Sequence, residues 1–126
     1  MNQKGFTLIE LVIVIAILST LACIAIPRLS QAQDSAAVLK TRMDLIAIDG
    51  AVAAYAVTKG AGASDISLTQ LTASGLLPAE PKPPVRLAGL STGKQYCIDG
   101  NLGRAYVLLT APEKTVLFYS DTDLSR

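Results

Sequence analysis

The 126-residue sequence contains no histidine, only two cysteines and few charged residues, which make up 17% of the chain. Without histidine there is no Ser-His-Asp triad and no histidine metal ligand. Basic residues number 11 and acidic residues 10, so a net charge of +1 gives no electrostatic basis for a nucleic-acid partner. No nucleophile with a matching base, phosphate loop or zinc-ligand spacing is present. The sequence therefore predicts a non-enzymatic protein without cofactor or metal.

The most unusual feature is an apolar run near the start of the chain. Residues 6–26 carry a single charge, that of Glu10. As a helix this run would be about 31 Å long, close to the roughly 30 Å thickness of the bilayer hydrocarbon. A core helix of so small a protein would not be apolar on every side, so we interpret the run as a membrane segment. Three alternatives remain at this point: a cleaved secretory signal, a lipoprotein signal ending at Cys23, or a retained helix behind a short basic leader.

The first residues of the chain resemble a known signal. Lys4-Gly5, the motif in residues 6–10 (FTLIE), the apolar run and Pro27 are similar to the class III signal sequence of type IV pilins and their pseudopilin relatives. This resemblance implies that a prepilin peptidase cuts between Gly5 and Phe6 on the cytoplasmic side and methylates the new amine of Phe6. The apolar helix is then retained as the core of a filament.

The resemblance also implies partners and a location. The partners are further copies of the chain in a homo-oligomeric helical filament, the prepilin peptidase and the pilus assembly machinery. The chain is expected to be a single-pass protein of the inner membrane before assembly. Afterwards it is expected in an extracellular pilus on the bacterial cell surface.

Gly5 and Glu10 also have physical reasons for these roles. Gly5 has no side chain to obstruct close approach of a protease to the backbone. A carboxylate among lipid-facing residues is costly and normally has a partner, and the amine of Phe6 in a neighbouring subunit is the nearest plausible cation. Such a pair would fix the axial offset between subunits. The alternative is that Glu10 extends toward the membrane interface.

Pro27 lies inside the helical pattern, where its missing N–H and its ring weaken the preceding turn. The stretch from Ser19 to Pro27 is therefore predicted to kink or melt. In the pilin family a helix breaker and a proline bracket a region that extends in the filament. Here Ser19 stands where glycine is expected, so a simple kink is the alternative.

Beyond Pro27 the sequence predicts a continuous helix that ends at Lys59-Gly60. It carries two apolar faces, and a helix with two apolar faces needs two partners. We expect one partner to be the chain's own C-terminal domain and the other a neighbouring subunit. The first face consists of Leu29, Ala32, Ala36, Leu39, Met43, Ile46, Gly50, Ala53 and Val57, and the second of Val38, Leu45, Ile48, Val52 and Tyr55.

The predicted fold is α+β: a long N-terminal helix packed on a small antiparallel sheet, as in type IV pilins. The expected parts are a leader (1–5), a membrane and filament-core helix (6–27), its amphipathic continuation (28–59) and a small globular domain (60–126). In that domain Ser67 and Gln70 have the spacing of a capping box, and Gly75 ends the short helix. A proline-rich connection then leads to strands at 94–98, 104–110 and 114–120, with 85–90 as a candidate fourth.

The sequence is best interpreted as a structural subunit of a type IV pilus. The alternative is a pseudopilin of type II secretion, or a minor pilin of a DNA-uptake or secretion filament. Asp121 and Asp123 could take part in a calcium site like that of major pseudopilins, but are expected to be solvated. Cys97 is expected to be a small buried hydrophobe that does not pair with Cys23. An intersubunit bond is its alternative role.

A single-pass protein whose small domain binds a ligand such as DNA is a further class. It would need clustered lysine and arginine side chains on an exposed strand or loop. Lys82, Arg86, Lys94 and Arg104 are scattered along the sequence. Nucleic acid is therefore not expected as the main partner.

Overall fold

The computed structural model describes residues 5–60, 62, 65–87, 90–110 and 115–122. The chain divides into two compact units, an N-terminal unit (Met1–Gln33) and a C-terminal unit (Asp34–Arg126). The elements in chain order are α1 (Leu8–Lys59), α2 (Leu68–Ala73), β1 (Arg86–Leu87), β2 (Leu90–Thr92), β3 (Cys97–Asp99), β4 (Arg104–Thr110) and β5 (Thr115–Phe118). A long N-terminal helix with a small antiparallel sheet confirms the predicted α+β fold class.

The N-terminal unit consists of the first part of α1 and the residues before it. The helix begins at Leu8 because Thr7 is its cap: the hydroxyl of Thr7 accepts a hydrogen bond from the backbone N–H of Glu10. All the described residues from 5 to 33 are exposed. By length and composition, α1 is able to cross a membrane.

The stretch between Ser19 and Pro27 is helical throughout. The Ser19 hydroxyl donates to the carbonyl of Ile15 at 2.7 Å, a bond that competes with the helix ladder and favours bending. Pro27 has no N–H, so it cannot donate to the carbonyl four residues earlier. The ladder is therefore weakened at both ends of this stretch, and its extension in a filament stays a prediction.

In the C-terminal unit, the predicted second face of α1 packs into the core. Leu45, Ile48 and Val52 are buried there. They cluster with residues of α2, of the sheet and of the loops between them: Ile66, Leu68, Leu71, Leu77, Leu87, Tyr96, Ala105, Val107, Leu109 and Phe118. This confirms that one apolar face of the helix is covered by the chain's own domain.

The other apolar face of α1 stays exposed in the C-terminal unit. The side chains of Leu39, Met43, Ile46 and Val57 are between 60% and 88% exposed. We call this face, residues 39, 43, 46, 50, 53 and 57, the exposed stripe.

The ends of both helices agree with the sequence signals. Helix α1 stops at Lys59, and Gly60 follows with φ of +63°, a left-handed conformation that glycine adopts without strain. Helix α2 begins with the predicted capping box, in which Ser67 and Gln70 each accept a hydrogen bond from the backbone N–H of the other. Gly75 follows α2 with φ of +77°.

Strand β4 lies at the centre of the sheet. It pairs with β5 along one edge and with both β2 and β3 along the other, all antiparallel. The order β3, β4, β5 confirms the predicted meander. The predicted fourth strand at 85–90 is instead a hairpin of two short strands, β1 and β2.

Two predicted strand limits were wrong. The strand predicted at 94–98 begins at Cys97, because the outer edge is broken between β2 and β3. Thr92 pairs with Leu109, and Cys97 pairs with Tyr106. Between these two pairings the chain advances five residues from β2 to β3 but only three residues along β4. This two-residue excess forms a bulge. The strand predicted at 114–120 ends at Phe118, and residue 114 lies outside the described residues.

Candidate functional site

The predicted processing junction lies just before α1. A side chain at Gly5 would meet no atom within 4 Å, so packing within the described chain does not require glycine there. Phe6 is exposed beside it. Any need for a small residue at position 5 must therefore come from a partner molecule, as predicted for a protease that approaches the backbone. Lys4 lies outside the described residues.

Glu10 is held by Thr7 in a reciprocal capping box. The Glu10 carboxylate oxygen Oε2 accepts hydrogen bonds from the backbone N of Thr7 at 2.9 Å and from its hydroxyl at 2.7 Å. These bonds orient the carboxylate toward the start of the helix without neutralising its charge. Among the described residues they use only Oε2, so Oε1 is available to a cation from another chain.

Thr7 was missed by the reasoning from sequence, although its signal is present. A threonine three residues before a glutamate and ahead of an apolar run has the capping-box pattern. The same spacing was recognised at Ser67 and Gln70. The structure thus brings Gly5, Phe6 and Glu10 together with Thr7 at the helix start, whereas Ser19 and Pro27 lie further along the helix.

Arg104 joins three parts of the C-terminal unit through its guanidinium group. Its Nη1 lies 3.1 Å from Asp121 Oδ2, its Nη2 donates to the Ser120 hydroxyl at 2.8 Å, and its Nε lies 3.8 Å from Asp49 Oδ2 on α1. The group also lies 5.5 Å from the ring centre of Tyr119. Arg104 therefore ties the helix to the segment that follows β5.

The same contacts bear on the candidate calcium ligands. The hydrogen bond and charge of Arg104 lower the pKa of Asp121, so this carboxylate has a cationic partner within the chain. Asp123 lies outside the described residues. Within the described ranges there is no group of three or more histidine, cysteine, aspartate or glutamate side chains placed to hold a metal ion.

Other polar side chains of α1 reach the rest of the C-terminal unit. Asp49 Oδ1 accepts a hydrogen bond from the backbone N of Ala105 at 2.6 Å. Ala105 lies on β4 beyond the end of β5, so this carboxylate takes the place of the strand carbonyl that would otherwise accept the bond. Asp44 Oδ2 accepts one from the hydroxyl of buried Tyr96 at 2.8 Å. Arg42 donates to the carbonyl of Thr122 at 3.0 Å. These bonds fix the helix on the sheet.

Both cysteines are free thiols. Cys23 is exposed in the N-terminal unit, and Cys97, predicted to be a small buried hydrophobe, is half-buried in β3. The basic residues are also less scattered than the sequence suggested. Lys82 and Lys94 line one hollow, whereas Arg104 lies at the far end of β4 and contacts Asp121.

Comparison with known proteins identifies the N-terminal region. Residues 1–26 match the prokaryotic N-terminal methylation motif. The chain is 42% identical over 54 residues to the type II secretion system core protein G of Klebsiella pneumoniae. The match spans 43% of this chain and 39% of that relative's length. No solved structure matches the chain.

Proposed function

We propose that this chain is a filament subunit of the type IV pilin-like family, which includes the type II secretion pseudopilins, and that its filament is a type IV pilus. Its N-terminal helix is inserted in the inner membrane, and after cleavage it becomes the filament core. The observation that carries this proposal is the methylation motif on a helix whose described residues to position 33 are all exposed. Such an apolar surface needs lipid or other helices around it.

The exposed stripe supports assembly independently. Single exposed apolar side chains are normal, but a row along several turns of one helix marks an interaction surface. The stripe repeats at steps of four and three residues, which is the spacing of helices that pack side by side. A neighbouring subunit is the partner that this spacing fits.

Processing is tested at the junction. Gly5→Val places a branched side chain where we propose that the peptidase approaches the backbone, and uncleaved precursor should accumulate in the membrane. Gly5→Ala, with a much smaller side chain, is the matched control and should be cleaved. Intact-mass measurement distinguishes the two forms and shows whether Phe6 is methylated. Cleaved Gly5→Val protein would show that the assigned junction is wrong.

A type II secretion pseudopilin is the second candidate, favoured by the name of the relative from Klebsiella pneumoniae. The two functions are separated by deleting the gene for the chain. A pilus subunit should be found by mass spectrometry in filaments sheared from wild-type cells, and its deletion should remove those filaments. A pseudopilin should be absent from sheared filaments, and its deletion should trap exported proteins in the periplasm. If the deletion gave neither of these two phenotypes, the filament proposal would be contradicted.

A further inference from the structure

A cationic hollow lies on the C-terminal unit between the proline-rich connection and the bulge that follows β2. Its volume is about 250 Å³. Its lining is Lys82, Pro83, Val85, Thr92, Gly93 and Lys94. Both lysines are exposed, and the Val85 side chain is 86% exposed between them in sequence. The hollow therefore combines two positive charges with an uncovered apolar side chain.

The backbone around this hollow is held in place from both sides. Thr92 donates from its hydroxyl to the carbonyl of Pro84 and from its backbone N to the carbonyl of Val85 at 3.2 Å. On the other side, the Lys40 ammonium donates to the carbonyl of Lys82 at 3.1 Å. A preformed surface loses less conformational freedom on binding, so the hollow is suited to a rigid partner.

The turn between β3 and β4, residues 99–103, has the complementary character. Asp99 Oδ1 accepts hydrogen bonds from the backbone N of Asn101 at 2.9 Å and of Leu102 at 3.2 Å. These bonds lower the pKa of Asp99, so the carboxylate stays ionised, and they hold the turn rigid. Leu102 is 61% exposed. The turn thus presents an apolar side chain beside a negative charge.

Charge around the turn is negative on balance. Asp49 and Asp121 lie near Arg104, the residue that follows the turn, and Asp99 contacts the same Tyr119 side chain that Arg104 covers. Arg42 reaches the neighbouring segment through Thr122. Among the described residues at this end of the unit, three carboxylates stand against two guanidinium groups, which leaves one negative charge in excess.

The hollow and the turn lie at opposite ends of β4. The turn leads into Arg104, whereas the hollow is beside the pairing of Thr92 with Leu109. Five residues of strand separate these positions by about 17 Å. The two surfaces therefore do not meet within one chain, but they can meet between two copies.

We propose that, in the filament, the β3–β4 turn of one copy docks into the Lys82–Lys94 hollow of the next, with Leu102 against Val85. This inference rests on the proposed filament function and assigns the contact between C-terminal units. Because the two surfaces differ, the contact is head to tail and propagates along a helix of subunits instead of closing a dimer. Charge complementarity sets which surfaces meet and in which register.

Cross-linking in cells that assemble the full chain tests this contact. In a background of Cys23→Ala and Cys97→Ala, a chain with both Val85→Cys and Leu102→Cys should give a ladder of covalent multimers with a short thiol cross-linker. Each single cysteine should leave the chain monomeric. Val85→Cys with Leu117→Cys is the matched control, since Leu117 is also exposed but lies on β5. The ladder should exceed the control about tenfold and weaken at high ionic strength.

A charge exchange provides the second measurement. Asn101 is exposed in the turn, so Asn101→Lys places a cation opposite the lysines and should reduce the ladder severalfold. Adding Lys94→Glu to that chain should restore it. Recovery in the double variant cannot result from misfolding of either single variant.

The outcomes separate this contact from the proposed function. Filaments that contain the cysteine chain but show no ladder, or show Val85-to-Val85 pairs, would overturn the inference and leave the filament function standing. Cross-linking to an oligonucleotide or to another protein in place of a second copy would overturn it as well. Cleaved chain that never forms filaments would refute the proposed function, and this inference with it.

Discussion

The two parts of α1 satisfy their polar side chains in different ways. In the N-terminal unit the bonds are local: Glu10 bonds to Thr7, and Ser19 bonds to the carbonyl of Ile15. In the C-terminal unit Asp44 and Asp49 reach residues 52 and 56 positions away. These side chains of the first part are therefore satisfied within the helix itself, as the proposed transfer from lipid into a filament requires. The second part is committed to the domain it packs on.

The largest expected effect tests whether the first part depends on charge or on capping. Glu10→Gln keeps an oxygen that can accept both bonds from Thr7 but removes the charge, so filaments should be lost while cleavage and membrane insertion continue. Thr7→Val keeps the charge and removes the capping hydroxyl, and should retain most filaments. Surface filament yield against the cleaved membrane pool is the measurement. If Glu10→Gln assembled normally, pairing with the Phe6 amine would be refuted. Loss of cleavage would indicate a role in peptidase recognition.

The next effect compares the two apolar faces of the second part. Ile48 is fully buried, so Ile48→Ala should lower the free energy of unfolding by about 2–5 kcal/mol. Ile46 lies two positions away on the exposed stripe, so Ile46→Ala should change the free energy of unfolding by less than about 0.5 kcal/mol. Denaturant unfolding of the full chain in detergent measures both. Equal losses would show that the assignment of buried and exposed faces is wrong.

Ile46 has a second consequence. In the proposed filament its face contacts a neighbour, so Ile46→Glu should reduce filament yield while the unfolding transition of the subunit stays in place. Val57→Glu at the C-terminal end of the same stripe is a parallel variant. If both variants formed normal filaments, the exposed stripe would not be part of the assembly surface.

The sequence was sufficient for some of these distinctions and not for others. Helical spacing identified both apolar faces, but it could not show which one the sheet covers, because Ile46 and Ile48 are equally apolar. The capping box at Ser67 was readable because its partners are three residues apart. The bond from Ala105 to Asp49 was not, because it depends on how β4 meets the helix. The strand predicted to begin at residue 94 begins only at Cys97, because of a bulge that no local sequence pattern indicates.

A smaller effect tests the long-range bonds directly. Asp49→Ala removes the acceptor of the buried Ala105 N–H and should cost about 1–3 kcal/mol of stability. Asp49→Asn retains an acceptor oxygen while it loses the charge near Arg104, and should cost less. Unfolding curves of the two variants are compared at one pH. An equal loss in the two variants would mean that the charge, which both remove, and not the backbone bond, holds the helix to the sheet.

The smallest effect concerns Tyr96 and depends on pH. Burial, together with the hydrogen bond and charge of Asp44, raises the pKa of the Tyr96 hydroxyl above its ordinary value of about 10. The contribution of this bond is therefore fully present below about pH 10 and is lost as the pH rises toward the folded-state value. Tyr96→Phe should cost about 1 kcal/mol at neutral pH, and the difference from the unsubstituted chain should shrink in alkali. The Lys40 ammonium also contacts Asp44, so Lys40→Met is examined in parallel. The difference in the free energy of unfolding between the unsubstituted chain and Tyr96→Phe could instead stay constant from neutral pH into alkali, also in the Lys40→Met background. That result would show that the hydroxyl bond to Asp44 does not stabilise the fold.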